Sequence, residues 1–327
     1  MLGDVNLDYL VHHMLRTSAD RYPEKEALVY GDKRLSYAEV ARQTEGLAHG
    51  LQGAGLQRGD RIGIFLGPSV PQVLSIFSIS LAGGVFVPIN ETLFPNQVAH
   101  IAQDCQMKGL ITDSAKLADL STVIKNIPSL EFVVLLEGEA SPEVPLSLYI
   151  FEQLCELTPP QLGPDIGIEK DLAAILYTSG STGKPKGIML SHANIIAGAS
   201  IVSTYLEITA AERILAVLPF SFDAGFNQLT TAFQQGATLV LMTFTFAREI
   251  VQMLLKEHIS ALAGVPTLWS LMAQSNSSLH KHRFPCLRCI TNTGGAMPQN
   301  VLSTLRKALP TTQIFLMYGL TEAFRST

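Results

Sequence analysis

This 327-residue chain has little charge and no stretch in which charge accumulates. Asp, Glu, Lys and Arg make up only 16% of it, and no run of lysine or arginine appears in a net charge of −5. A nucleic-acid surface needs a basic patch or stripe, so that class of partner is not expected. A basic region followed by an apolar run is also missing after Met1-Leu2-Gly3-Asp4, which argues against a secretory leader and makes the cytoplasm the default location. The most apolar region, Ile62 to Ile89, is broken by Gly67, Pro68, Pro71, Gly83, Gly84 and Pro88. A membrane span needs about 20 uninterrupted apolar residues, so the region reads as strand–helix–strand core and no transmembrane segment is expected.

Cysteine is scarce as well: Cys105, Cys155, Cys286 and Cys289 are the full set. Cys286 and Cys289 form a CxxC downstream of His280 and His282, a spacing from which a zinc site can be drawn. Cys289 opens the apolar run Cys289-Ile290-Thr291, and no second pair backs it. Buried free thiols are the expected reading.

What the chain does have is hydrophobic residues, 47% of the total, in short runs alternating with helical periodicity. Such runs fit strands buried on both faces. Strands are expected at 27–30, 34–36, 61–66, 85–88, 109–112 and 131–136, with helices over 7–22, 37–55, 70–81, 95–105 and 115–126. From Glu137 to Asp171 prolines and glycines crowd around one short helical patch, 148–157, a texture that suits a crossing between two units. The alternation then restarts, with strands at 213–218, 238–242, 259–264, 287–292 and 313–316. The fold class that follows is α/β, with two packed α/β subdomains, mainly parallel sheets and flanking helices, over 1–170 and 171–327.

The densest chemistry lies in Tyr177-Thr178-Ser179-Gly180-Ser181-Thr182-Gly183-Lys184-Pro185-Lys186-Gly187. Glycines let a backbone turn its N–H groups toward an anion, hydroxyls add short donors, and lysines bring charge on flexible stems. The stretch suits a polyphosphate better than a linker. It is not a Walker loop, because Thr178 stands where the first glycine would be and Pro185 follows Lys184. It is not a nucleophile elbow either, because Ser179 precedes Ser181 by two. Apolar runs on both sides, 172–176 and 188–190, place it between two strands.

This stretch resembles the phosphate-loop signature of the adenylate-forming superfamily, which comprises acyl-CoA synthetases, adenylation domains of peptide synthetases and luciferases. Leu35 to Val40 and Ala82 to Asn90 are similar to two further signatures of that family. Tyr318-Gly319-Leu320-Thr321-Glu322 matches its Tyr-Gly-x-Thr-Glu element throughout. The resemblance implies that Thr178, Ser179, Gly180, Ser181, Thr182, Gly183 and Lys186 hold the β,γ-phosphates of ATP. It further implies that Tyr318 and Gly319 line the adenine, that Thr321 contacts the α-phosphate and that Glu322 binds Mg²⁺. Thr321, Glu322 and Lys186 become the candidate catalytic residues. Thr293-Gly294-Gly295-Ala296-Met297-Pro298 follows an expected strand and is either a binding loop or an ordinary turn. By resemblance Gly294, Gly295 and Ala296 border the adenine, and Gly295 the acyl group.

Phe222 and Asp223 bear on the acid. Many acyl-CoA synthetases carry a histidine where this chain has Phe222, whereas Phe-Asp resembles amino-acid-activating domains, in which the aspartate pairs the substrate ammonium. The continuation Gly225-Phe226-Asn227-Gln228 departs from that pattern. Asp223 equally suits a cap for a helix beginning near Gly225, and both readings stay open. The implied reaction is attack of a carboxylate on the α-phosphorus of ATP, release of pyrophosphate, and transfer of the acyl group to a thiol of CoA or of a carrier protein's phosphopantetheine. The ending Ala323-Phe324-Arg325-Ser326-Thr327 is similar to acyl-CoA ligases associated with bacterial exopolysaccharide and exosortase gene clusters. In the family a third subdomain with a ribose-binding aspartate and a mobile lid domain with a catalytic lysine follow. The expectation is therefore a fragment of a ligase with little or no activity of its own, the alternatives being amino-acid adenylation and a nucleotide-binding remnant.

Overall fold

The structure is a computed structural model that describes residues 8–137, 146–158, 165–178 and 185–324. Helix α1 (Val11–Arg21) leads into a hairpin of β1 (Glu26–Tyr30) and β2 (Lys33–Ser36), and α2 (Tyr37–Gly53) follows. A capping box starts α2: Ser36 Oγ accepts from the Glu39 N–H while the Glu39 carboxylate accepts from the Ser36 N–H. The chain then alternates through β3 (Arg61–Phe65), α3 (Val70–Leu81), β4 (Val85–Pro88), α4 (Pro95–Asp104), β5 (Gly109–Thr112), α5 (Ser114–Ile124), β6 (Phe132–Leu135), β7 (Ser147–Ile150) and the short α6 (Phe151–Cys155). The second half runs β8 (Leu172–Thr178), β9 (Lys186–Ser191), α7 (His192–Tyr205), β10 (Arg213–Ala216), α8 (Asp223–Gln235), β11 (Thr238–Leu241), α9 (Ala247–Lys256), β12 (Ala261–Gly264), α10 (Pro266–Met272), β13 (Cys289–Asn292), α11 (Gln299–Ala308) and β14 (Gln313–Leu316).

The α/β class holds, and both sheets are parallel apart from one antiparallel pair in each. One sheet has the order β7-β6-β5-β3-β4-β8-β9 and the other β14-β13-β12-β10-β11-β1-β2. Sheet membership does not follow chain order. β1 and β2 join the sheet otherwise drawn from 213–316, where Leu28 is in register with Leu239. β8 and β9 join the sheet otherwise drawn from 61–150, where Ala174 pairs with Phe86. A division at residue 170 therefore does not separate the sheets, because strand partners are chosen by long-range pairing that local periodicity does not encode. The segment expected as one helical patch over 148–157 splits instead. Its first residues extend the sheet as β7, parallel to β6, and only Phe151–Cys155 is helical.

Side chains alternate across each sheet as the strand period requires. In β10, Ile214 and Ala216 face the space between the sheets while Leu215 faces outward. The inter-sheet space is filled by α1, α2, α3, α7 and α8. Helices α9, α10 and α11 cover the outer face of one sheet, and α4 and α5 that of the other. Helix α8 ties the layers together. Phe226 and Phe233, two turns apart, point across the gap: the Phe226 ring lies 5.4 Å from Phe86 on β4, and Phe233 lies 4.8 Å from Phe77 on α3. Among the described residues no helix is long and apolar enough to cross a membrane.

A polar clasp fastens α1 to the stretch leading into β8. Asp165 accepts from the Tyr9 hydroxyl, from Nε2 of His12 (3.0 Å) and His13 (2.9 Å), and from both terminal nitrogens of Arg16. The His12 N–H donates to Ser80 Oγ, whose own proton goes to His12 Nδ1, and the Tyr9 N–H donates to His13 Nδ1. Both rings are thereby fixed as neutral Nε2–H tautomers. His12, His13 and Asp165 also have metal-ligand spacing. Arg16 occupies both carboxylate oxygens, however, and His13 Nε2 is reserved for a proton, so the cluster is a hydrogen-bonded lock. The donors around it, His12 first, hold the Asp165 carboxyl well below the usual carboxylate range.

Burial pulls His13 and His192 down to about 4, and His12 in the same direction. The unfolded chain takes up protons on these rings between pH 6.5 and about 4 that the folded chain refuses, so stability falls as the pH drops through that window. Urea midpoints should be lower near about pH 5 than near about pH 7.5, and His13→Asn should shrink the difference; equal midpoints for the unaltered protein would contradict this. Truncating the bridging ring, Phe226→Ala, should cost about 3–5 kcal/mol in the same assay at neutral pH.

Candidate active site

Parallel α/β sheets bind ligands beyond the carboxyl ends of their strands. Four such ends converge here. The loop after β10 carries Phe222 and Asp223, β12 is followed by Val265 and Pro266, β13 by Thr293 to Met297, and β14 by Met317 to Glu322.

After β13, Gly294 adopts a left-handed φ of +75°, and Asn292 Nδ2 donates to the Gly295 carbonyl at 2.8 Å. This turns Gly294, Gly295 and Ala296 outward, all three exposed, over a wall formed by Val265 and Pro266. Pro298 is the residue before α11, one position earlier than a proline opening the helix. After β14, Tyr318 is 71% exposed, and Thr321-Glu322-Ala323 form a single 3₁₀ turn. Phe324, fully buried, pins that turn. Its ring and carbonyl press on Gly198 of α7, where a Cβ would come within 2.5 Å, and the ring lies 5.6 Å from Phe226. An apolar plug thus presents Tyr318, Thr321 and Glu322 as a polar strip.

The third component comes from the other sheet. β8 and β9 pair antiparallel through Thr178 and Lys186, so the stretch is strand-to-strand as expected. The hairpin's base is held by Tyr177, whose hydroxyl donates to Asp104 Oδ2 at 2.6 Å. The turn at 321–323 packs against β9, the strand that opens with the exposed Lys186. Ser179, Gly180, Ser181, Thr182 and Gly183 lie outside the described residues.

Two expectations need correction. Asp223 is not a cap. The N-cap of α8 is Phe222, 45% exposed and without a capping side chain, and Asp223 is the first helical residue, where the helix dipole favours a carboxylate. Nor are both thiols of the CxxC buried, although both are free. Cys289 is buried in β13 but Cys286 is exposed, 4.0 Å from Nδ1 of His258, a different histidine from His280 and His282. Among the described residues no metal-ligand grouping includes them. Cys286 sits in the turn before β13, where the chain has not yet entered the sheet.

The sequence reading missed a cavity of about 40 Å³ between α7, α8 and the sheet, lined among others by Leu206, Ala224, Asn227, Thr231, Thr291 and Met317. Larger clefts of 280 and 570 Å³ lie at the amino ends of β3, β4 and β8 and of β13 and β14, the wrong ends for this fold. A signal for the small cavity was present. Ala224, Asn227, Gln228 and Thr231 recur at i, i+3, i+4 and i+7, putting polar groups on one face of a helix buried almost all round.

A family model described as AMP-binding enzyme matches residues 15–326. The chain is 30% identical over 234 residues to tyrocidine synthase 1 of Brevibacillus parabrevis, covering 71% of this chain and 20% of that protein. It is 26% identical over 311 residues to indigoidine synthase of Dickeya dadantii (strain 3937), covering 94% of this chain and 20% of that one. Among solved structures, the anthranilate CoA ligase AuaEII in complex with anthranoyl-AMP superposes with a TM-score of 0.89 at 25% identity, covering 98% of this chain and 62% of that chain. The chain thus spans less than two thirds of these proteins.

The loop before α8 abuts the helix closely: a Cβ on Gly225 would run into the carbonyls of Pro219 and Leu218. Gly225→Ala should therefore displace the Phe222–Asp223 turn and lower stability by about 1–3 kcal/mol in urea unfolding. An unchanged midpoint would show that the loop has room to give.

Proposed function

The chain belongs to the AMP-binding enzyme family, and on that premise we propose that it activates a carboxylic acid as its acyl-adenylate, releasing pyrophosphate, as part of an AMP-forming acid–thiol ligase. The observation that carries this reading is the convergence of the loops after β10, β12, β13 and β14 with the β8–β9 hairpin of the other sheet.

In this reading Tyr318 offers a ring face to the adenine, and the exposed Gly294–Ala296 backbone borders it. The Thr321 hydroxyl donates to the α-phosphate, where negative charge develops as the substrate carboxylate attacks phosphorus and pyrophosphate departs. Lys186 and Thr178, together with Ser179 to Gly183, hold the β,γ-phosphates. One exposed carboxylate, Glu322, fits Mg²⁺, which typically binds through one or two carboxylates and substrate phosphates while keeping several waters. The ion supplies neutralisation of phosphate charge. No protein nucleophile is required.

The acceptor is a thiol, of CoA or of a carrier protein's phosphopantetheine; the structural neighbours include both a CoA ligase and a nonribosomal peptide synthetase. Asp223 stands beside Ala224 of the small cavity, a position that favours amino-acid activation as the second reading, with Asp223 pairing the ammonium. An amino acid, L-aspartate, is also what VinN holds in its complex structure, a neighbour at TM-score 0.81 and 25% identity.

Calorimetric titration tests the proposal. ATP·Mg²⁺ should bind, Lys186→Ala should weaken it about tenfold, equivalent to about 1.4 kcal/mol, and Glu322→Gln should abolish the gain that Mg²⁺ gives over ATP alone. Absence of ATP binding in the unaltered protein would refute the assignment.

A further inference from the structure

The cavity beside Ala224 is lined by two residues that each carry a buried polar atom no protein group satisfies. Asn227 is 3% exposed; its Oδ1 takes the Thr231 hydroxyl proton at 3.3 Å, which leaves Nδ2 as a donor without a partner. Gln228 is 6% exposed; its Nε2 donates to the Leu215 carbonyl at 2.9 Å, which leaves Oε1 as an acceptor without a partner. Both residues line the cavity. The surrounding wall is mostly apolar, with Leu206, Ile208 and Ile214, and among the described residues no charged side chain lines it.

A buried polar atom left unpaired costs on the order of 1–3 kcal/mol, and two side by side on a helix face that normally carries apolar residues call for an explanation. Hydration alone is the plain one. Against it stands the location: the cavity runs along β12 from Ala261 to Ala263, reaches Thr291 of β13 and Met317 just after β14, and touches Ala224, the neighbour of Asp223, on the side where an activated acid has to lie. Asn227 is one helical turn beyond Asp223, so the two are spaced roughly 5–6 Å along one face of α8. A water needs roughly 10–15 Å³ of such space, so 40 Å³ admits a group of roughly three or four heavy atoms.

We propose that this cavity receives the end of the acyl group and selects a neutral group that both accepts and donates a hydrogen bond, a carboxamide or a hydroxyl. Asn227 supplies the donor and Gln228 the acceptor. A hydrocarbon of the same shape leaves both atoms unpaired, and a carboxylate or ammonium meets no counter-charge. The inference rests on the adenylation reading above, and names its substrate class.

The test compares two non-hydrolysable sulfamoyl-adenosine probes of equal shape, the 3-carbamoylpropanoyl and the 4-methylpentanoyl conjugates, by isothermal titration, with ATP·Mg²⁺ beside them. The carboxamide probe should bind at least about tenfold more tightly, about 1.4 kcal/mol. Asn227→Leu should reduce that preference to within about threefold, or invert it, while leaving ATP·Mg²⁺ binding unchanged. Gln228→Met, which keeps the volume, provides a second variant should Asn227→Leu fail to fold. Equal or tighter binding of the hydrocarbon probe by the unaltered protein, with ATP bound normally, would overturn the inference alone. A preference surviving both substitutions would do the same by removing these two atoms from the selection. Loss of ATP binding together with both probes would sink the adenylation reading and this inference with it.

Discussion

The structure depends on what happens between its two sheets. Each sheet has an inner face of aliphatic side chains that must leave water, and the helices between them do the covering. Helix α8 is where the two sides meet. It follows β10 of one sheet, yet its Phe226 and Phe233 rings pack on Phe86 and Phe77, which belong to the other. Packing of this density fixes the spacing of the sheets, because a close-packed interior deforms little and favours discrete arrangements. The exchange of β1 and β8 across the sheets adds backbone hydrogen bonding to the same tie.

The candidate site inherits its geometry from that arrangement. The Tyr318–Glu322 strip is placed by Phe324, and Phe324 is placed by Gly198 and Phe226. The first turn of α8 sets Phe222 and Asp223 at the same end, and the hairpin from the opposite sheet closes against the strip. Exposed polar groups that could touch a nucleotide are thus held in place by buried apolar ones. The Asp165 clasp performs a related service at the amino end of β8, where it orders the approach to the hairpin.

Much of this was legible in the sequence. Short apolar runs between helical periods marked most strands, and the runs on either side of the glycine- and hydroxyl-rich stretch after Leu176 placed it between two strands. The strand exchange was not legible, since Leu28 carries no mark of its partner Leu239. Leu148, Tyr149 and Ile150 of β7 fit either the helical or the strand period, and only pairing with β6 decides between them. Asp165 sits in a proline- and glycine-rich stretch that gives no hint of four side chains gathering round it. The placement of Asp223 turned on one residue of helix start, a scale on which sequence signals are weakest. The cavity under α8 was foreshadowed only by polar residues at helical spacing, a pattern easily taken for an exposed face.

The central claim is that a hairpin from one sheet and the carboxyl-end loops of the other form one nucleotide site. Hydrogen–deuterium exchange with and without ATP·Mg²⁺ addresses it most directly. Protection should appear together at Thr178 to Lys186, at Thr293 to Met297 and at Met317 to Glu322, with the clefts beside Arg58 and His282 unaffected. Protection at either of those clefts, or at one of the three segments without the others, would contradict the account.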